Sequence, residues 1–418
     1  MDREIRDKIL KDSQIRKFKA YGFFKNLKFF EPFLLIFLLS NQLTLLQIGL
    51  LIAIREVIVN LFEIPSGFIA DYFGKKIELY ICFIFYILSF ILFFFTKGFG
   101  IASVAMIAYG LGEAFRSGSH KAMIYKYLDI KDWSKYKTFV YGQTRGTSLI
   151  GSAISSLLAI VLVLNSPSIN YIFLASIIPY ILDLLLIISY PSSIDSKLKE
   201  NSETQFISTI TSMLKNIFRR KNLRKLVLAN SIFEAAIVSV KDYIQPILQS
   251  IIISSSLISL LKYSDKDRII IILGITYTII YLISSLGSKS AYKAEKFFSR
   301  QSSLNFLYIL IPILLIALSL SLNNTYIIIL IFVLMYFIRD IRKPIFVDLV
   351  DDNMEKSERA TVISIVSQIK SAATVILAPL MGYIADKNGL KYSMLALSLI
   401  LFIAFFSTLL IDKKRNQI

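Results

Sequence analysis

Long apolar runs alternate along this chain with short polar stretches. A helix that crosses a membrane needs about 20 predominantly apolar residues. By that measure the pattern predicts spans over Phe18–Ser40, Leu45–Ile69, Ile77–Phe95, Gly100–Tyr125, Thr138–Leu164 and Ile169–Tyr190, and then over Leu223–Ile253, Ile269–Gly287, Leu304–Leu322, Tyr326–Leu349, Ala360–Ala385 and Tyr392–Ile411. Continuous runs of this length argue against strands, and lipid admits only helices or closed barrels. The expected fold is all-α and membrane-embedded, with twelve transmembrane helices. The longest polar stretch, rich in Ser, Lys and Glu, separates the sixth span from the seventh. The predicted organisation is a six-helix bundle over 1–190, a linker over 191–222 with a surface helix near Ile207–Phe218, and a second six-helix bundle over 223–418.

The cations fall between the apolar runs rather than on one soluble face, so the net charge of +18 points to a membrane and away from nucleic acid. With both termini placed inside, the inner segments hold 35 of the 47 Lys and Arg and the outer loops six. That asymmetry predicts cytoplasmic termini. Residues 1–17 are charged with alternating sign, which is unlike an export signal. The single cysteine, Cys82, excludes an intrachain disulfide and a cysteine-based metal cluster.

One polar stretch between the second and third spans stands apart. Glu63–Lys76 reads E-I-P-S-G-F-I-A-D-Y-F-G-K-K. A short connection between two membrane helices must turn tightly, which glycine permits. Small Gly67 is expected to let a neighbouring helix come close. The pattern of Gly67, Asp71, Gly74, Lys75 and Lys76 resembles the signature loop between helices 2 and 3 of the major facilitator superfamily. A copy, G-Y-I-A-D-K-N-G, lies at Gly382–Gly389. The stretches Glu358–Ser364 and Ser117–Leu128 resemble the drug-exporter-like branch of that superfamily. The fifth span holds Gly142, Arg145, Gly146 and Gly151 without the proline–glycine pattern of drug–proton antiporters. The resemblance implies two pseudo-symmetric six-helix bundles, alternating access, a cell-membrane location and a gating role for the signature loop. It also implies proton-coupled export of a small, partly hydrophobic compound. Uptake of a metabolite or metal chelate is the rival within transport; a membrane sensor or embedded enzyme is the rival outside it.

Ionisable side chains at membrane depth are costly and mark functional sites. Glu31, Arg55, Glu56, Glu113, Arg116, Glu234, Lys241, Asp242, Arg339 and Asp340 are the candidates for a proton and substrate cavity. Glu113 and Arg116, three residues apart, share a helix face, and Glu31 is the expected proton carrier. Arg55, Glu63, Asp183 and Lys370 are equally well read as structural ion pairs. His120 is expected to make an interfacial hydrogen bond. The chain shows no phosphate loop, no H-E-x-x-H, no G-x-S-x-G and no Cys/His cluster, so neither ATPase nor other enzymatic chemistry is expected. No cofactor and no metal are predicted. A small molecule, protons and the bilayer are the expected partners of a monomer.

Overall fold

The computed structural model describes residues 3–195, 220–254, 264–297, 300–352 and 359–409. Its regular structure is entirely helical among these residues: α1 Arg3–Lys11, α2 Ser13–Lys25, α3 Leu34–Ser40, α4 Leu45–Phe73, α5 Lys75–Phe94, α6 Phe99–Arg116, α7 Ser119–Ile130, α8 Lys137–Leu164, α9 Tyr171–Ile188, α10 Lys221–Val240, α11 Ile244–Ser254, α12 Asp265–Phe297, α13 Arg300–Leu320, α14 Thr325–Asp352, α15 Arg359–Asn388 and α16 Leu390–Thr408. The surface helix expected near 207–218 lies outside the described residues.

Among the described residues, eight helices are long and apolar enough to cross a membrane: α4, α5, α8, α9, α12, α13, α15 and α16. They correspond to the second, third, fifth, sixth, eighth, ninth, eleventh and twelfth predicted spans. The remaining four are the first, fourth, seventh and tenth, and each departs from a plain apolar helix.

The first span is α2, a turn of 3₁₀-helix at Glu31–Phe33 and then α3, not one continuous helix. α2 closes at Lys25, ahead of Pro32, which sits in the first positions of the 3₁₀ turn, where its missing N–H is tolerated. The fourth span breaks after Arg116, where Gly118 takes φ +82° and starts α7. A left-handed backbone of this kind is costly for a residue with a Cβ. The seventh span breaks at the 3₁₀ turn Lys241–Tyr243, with Pro246 in the first turn of the helix that follows. The tenth, α14, is unbroken but carries Arg339, Asp340, Arg342 and Lys343 in consecutive turns. A bilayer tolerates broken or charged helices only where protein or water covers the polar groups.

Packing divides the chain into two compact units. Unit 1 is Met1–Asn41, Ile58–Lys199 and Ile270–Leu282; unit 2 is Gln42–Val57, Glu200–Ile269 and Ile283–Ile418. Unit 1 is centred on α5, which packs along α6 and α9. Its interior is aromatic: Phe30 stacks on Phe173 at 5.4 Å and Phe93 on Phe173 at 5.0 Å, while Tyr86 meets Tyr180 edge-on at 5.2 Å. Gly112 admits the Tyr86 ring, since a Cβ there would lie 2.8 Å from it.

Unit 2 packs α10 along α15 and α13 along α16. Its closest helix contact involves the start of α4. A Cβ on Gly49 would come 2.4 Å from the Ala378 carbonyl oxygen, and one on Gly382 would come 2.2 Å from that of Leu45. Asp386 completes the contact by accepting from the amides of Leu45, at 2.9 Å, and Leu46, at 2.7 Å. It thereby satisfies two of the donors that a helix N-terminus leaves open. The close helix approach expected at Gly67 is thus found at Gly49 and Gly382. A Cβ on Gly67 would meet nothing within 4 Å, because that glycine faces open space.

Candidate functional site

The two breaks in unit 1 bring together a set of charges that hydropathy alone does not connect. Ending α6 at Arg116 leaves that cation at a helix C-terminus, where the dipole favours positive charge. Ending α2 at Lys25 does the same for a buried lysine. Between α2 and the Glu31 turn, Lys28 projects toward α6.

Glu113 is the centre of the arrangement. Its carboxylate lies 2.8 Å from the Arg116 guanidinium and 3.8 Å from Lys28 Nζ, and it accepts from the Tyr86 hydroxyl at 2.5 Å. Lys28 donates in turn to the Tyr109 hydroxyl at 2.8 Å, and Arg116 Nε to that of Tyr86 at 3.3 Å. The side chains are partly uncovered by protein, 17% for Lys28, 21% for Glu113 and 34% for Arg116. Glu31 stands on the 3₁₀ turn, and its charge acts on Lys28. The broken α6 end is itself held: Ser66 donates to the Ala114 carbonyl, and Ser117 to the Glu63 carboxylate at 3.2 Å. Such a group combines fixed positive charge, one multiply held carboxylate and phenol donors. It can pair with an ionised ligand group while tyrosine and phenylalanine rings receive an apolar body.

Unit 2 holds its own charges. Glu56 takes an ion pair from Arg55 at 2.9 Å and another from Lys370 at 3.5 Å, with a hydrogen bond from Ser371 at 2.6 Å. Arg339 faces Glu234 at 3.4 Å, and the charge of Asp340 acts on it. Lys241 and Asp242 sit 3.6 Å apart on the 3₁₀ break of the seventh span. Arg342 is fully buried; it donates to Asn230 at 2.6 Å and lies 4.2 Å above the Phe233 ring. The ion-pair expectation for Arg55 and Lys370 is met at Glu56. Asp183 differs from that expectation: neither carboxylate oxygen has a partner among the described residues.

The signature loop is anchored within unit 1. Gly74 has φ +104°, and the Asp195 carboxylate sits 2.7 Å from where a Cβ would be. Asp195 also accepts from the Lys76 amide at 3.2 Å, while Lys76 Nζ donates to the carbonyls of Tyr190 and Ile188 beyond and at the end of α9. Lys75 opens α5. Asp71 is exposed on the last turn of α4. In α7, Lys121 lies over the Tyr141 and Tyr125 rings at 5.1 and 5.5 Å. His120 makes its hydrogen bond with the Tyr190 hydroxyl at 3.1 Å and stacks on Tyr21. In the charged loop after the fourth span, hydrogen bonds from Lys137 and Ser134 hold the Asp129 carboxyl below the usual carboxylate range.

Sequence reasoning missed Lys25, Lys28, Tyr86, Tyr109 and Arg342. The first two read as the flank of an apolar run and Arg342 as the start of an inner loop. Nothing in the pattern distinguishes Tyr86 from the other tyrosines.

The Major Facilitator Superfamily signature matches residues 24–373. The chain belongs to the Major Facilitator Superfamily. It is 29% identical over 225 residues to the uncharacterized MFS-type transporter YxaM of Bacillus subtilis (strain 168), a match spanning 53% of this chain and 55% of that protein. The chain thus aligns with about half the length of that curated relative. Among solved structures it resembles two crystal structures of the nucleoside transporter NupG, one of them of a mutant. The TM-scores are 0.78 and 0.76 and the identities 11% and 12%, over 94% and 95% of this chain and 98% of each NupG chain. Likeness at that identity establishes the facilitator fold. Eight of its described helices have the length and apolar composition to cross a membrane, as that fold requires.

Proposed function

We propose that this facilitator is a proton-coupled exporter of a small, partly hydrophobic compound, working by alternating access in the cell membrane as a monomer with cytoplasmic termini. The observation that carries the reading is the Lys28–Glu113–Arg116 cluster at the breaks of the first and fourth spans. Facilitator sites are built where helices are discontinuous and backbone or charge would otherwise face lipid. Tyr86 and Tyr109, 5.3 Å apart, border the charges with aromatic surface, which suits a ligand having both a ring and a polar group. The likeness of Glu358–Ser364 and of Ser117–Leu128 to drug-exporter-like facilitators supports the outward direction.

The test uses purified full-length chain in proteoliposomes loaded with a pH-sensitive dye. Uridine, salicylate and ethidium are offered in turn as a neutral nucleoside, an aromatic anion and an aromatic cation. Export coupled to protons predicts compound-dependent proton movement opposite to compound movement for at least one of them. Proton movement in the same direction as the compound refutes export by exchange. Compound movement that neither creates nor consumes a pH gradient refutes proton coupling.

A further inference from the structure

The buried carboxylates of unit 1 are not all held alike. Glu113 is held by three groups, and Glu78 accepts from the Ser119 hydroxyl. Asp183 on α9 is 0% exposed, and both of its oxygens are buried with no hydrogen-bond partner among the described residues. A carboxylate removed from water without partners costs several kcal/mol unless it takes up a proton. Buried polar groups are normally paired, and one that is not calls for an explanation.

The charge that acts on Asp183 is that of Lys25. Lys25 is the last residue of α2, and the charges of Arg116, Glu113 and Lys28 act on it as well. Its backbone carbonyl accepts from the Tyr180 hydroxyl of α9 at 3.2 Å, so the residue lies against the helix that carries Asp183. Around α9 stand the His120 imidazole, the cations Lys17 and Lys76 at the carbonyls of its C-terminal end, and several phenols and a thiol. Tyr21 comes from α2, its hydroxyl also buried and unpartnered. Tyr180 is on α9 itself and Tyr190 lies just beyond it, hydrogen-bonded to His120. From α5, Tyr86 packs on Tyr180, and Cys82 is buried on the same helix. The part of α8 buried in the unit presents small and hydroxyl side chains, among them Ser152, Ser155 and Ser156.

We propose that Asp183, rather than Glu31, is the proton-carrying group of this transporter, with Lys25 the counter-charge that links its protonation to the Lys28–Glu113–Arg116 cluster. The assignment rests on the proton-coupled reading above. The step is a single proton transfer: one O–H bond forms on a carboxylate oxygen and the group goes from −1 to neutral. With Asp183 ionised, the Lys25 ammonium is drawn toward α9. With Asp183 protonated, that attraction is gone and Lys25 turns to the field of Glu113, changing the charge offered to a ligand there.

Infrared spectra of the full-length chain in lipid, recorded through a pH titration, test this without any substrate. A protonated-carboxyl stretch that appears on acidification is expected in the wild type. It should be lost in Asp183→Asn, retained in Glu31→Gln and moved in its midpoint by Lys25→Met. Full amplitude of the band in Asp183→Asn, or its disappearance in Glu31→Gln, overturns the proposal. A Lys25→Met titration superimposable on wild type overturns the role of Lys25. Should the band behave as expected while uridine, salicylate and ethidium all fail to move protons, the Asp183 site is upheld and the coupled-transport reading is refuted.

Discussion

Replacing Glu113 with Gln removes the one negative charge between Arg116 and Lys28 while preserving shape. The wild-type carboxylate meets a guanidinium at 2.8 Å and an ammonium at 3.8 Å, and takes a hydrogen bond from Tyr86. Breaking a buried pair by deleting one partner costs about 3–5 kcal/mol, because the surviving charge stays buried. Arg116 is 34% exposed, so solvent screens part of that penalty and the lower end applies. A cost of about 3 kcal/mol corresponds to a shift of about 100-fold in an opening equilibrium. The chain supplies its own probe: Cys82, the single cysteine, is buried on α5 in unit 1. Labelling it with a thiol-reactive dye under native conditions reads that opening, provided reclosing outpaces labelling. The Glu113→Gln chain should label about 100-fold faster than wild type and lose both uphill transport and downhill exchange. Adding Arg116→Gln should recover part of the loss, since the orphaned cation goes with it. Unchanged labelling in Glu113→Gln, or strictly additive effects in the double variant, would refute the view that this carboxylate holds the unit's cations together.

The signature-loop glycines should not be equivalent: Gly74→Ala, at φ +104° and against Asp195, should lower stability by about 1–2 kcal/mol, while Gly67→Ala, facing open space, should be neutral or slightly stabilising in thermal unfolding. At the α4–α15 contact, Gly382→Ala must push the helices apart, and Asp386→Asn should cost about 1 kcal/mol of capping; both should weaken disulfide trapping between cysteines placed at Thr44 and Lys387, and undiminished trapping in Gly382→Ala would count against the close packing. The orientation is checked by a cysteine at Ser202 in a Cys82→Ser background, which should resist impermeant reagents applied from outside; labelling from outside would reverse the assignment of inner and outer loops.

Hydropathy found the eight plain membrane helices because their signal is a sum over many residues, and such sums tolerate local irregularity. Leu45–Phe73 and Lys75–Phe94 fall where apolar length and the glycine between them require. The tightness of the second unit's helix contact was half legible: the copy of the signature at Gly382–Gly389 was visible, but not that Gly382 meets a backbone and Asp386 caps α4. Contacts of that kind pair residues more than 300 positions apart, and no local pattern encodes them. Gly67 shows the converse, a small residue with nothing to admit.

The site was legible as a list of residues and illegible as an arrangement, for one physical reason. A span was read as a rod, so depth was taken from sequence position at 1.5 Å per residue. Three of the charged spans are not single rods, being broken at a 3₁₀ turn or at a left-handed glycine. Once α2 ends at Lys25 and α6 at Arg116, two cations that look like flanks or mid-span charges become helix C-termini, and Lys28 comes within ion-pair distance of Glu113. The 3₁₀ turns at Glu31–Phe33 and Lys241–Tyr243 fall in the first span of each predicted set of six, and each carries an acid, with Lys28 just before the first turn and Lys241 opening the second. The sequence echo between the two sets is weak, whereas the position of the break and the charges on it recur. A hydropathy window averages over that feature, because the residues that interrupt the helix are few and those around them are apolar.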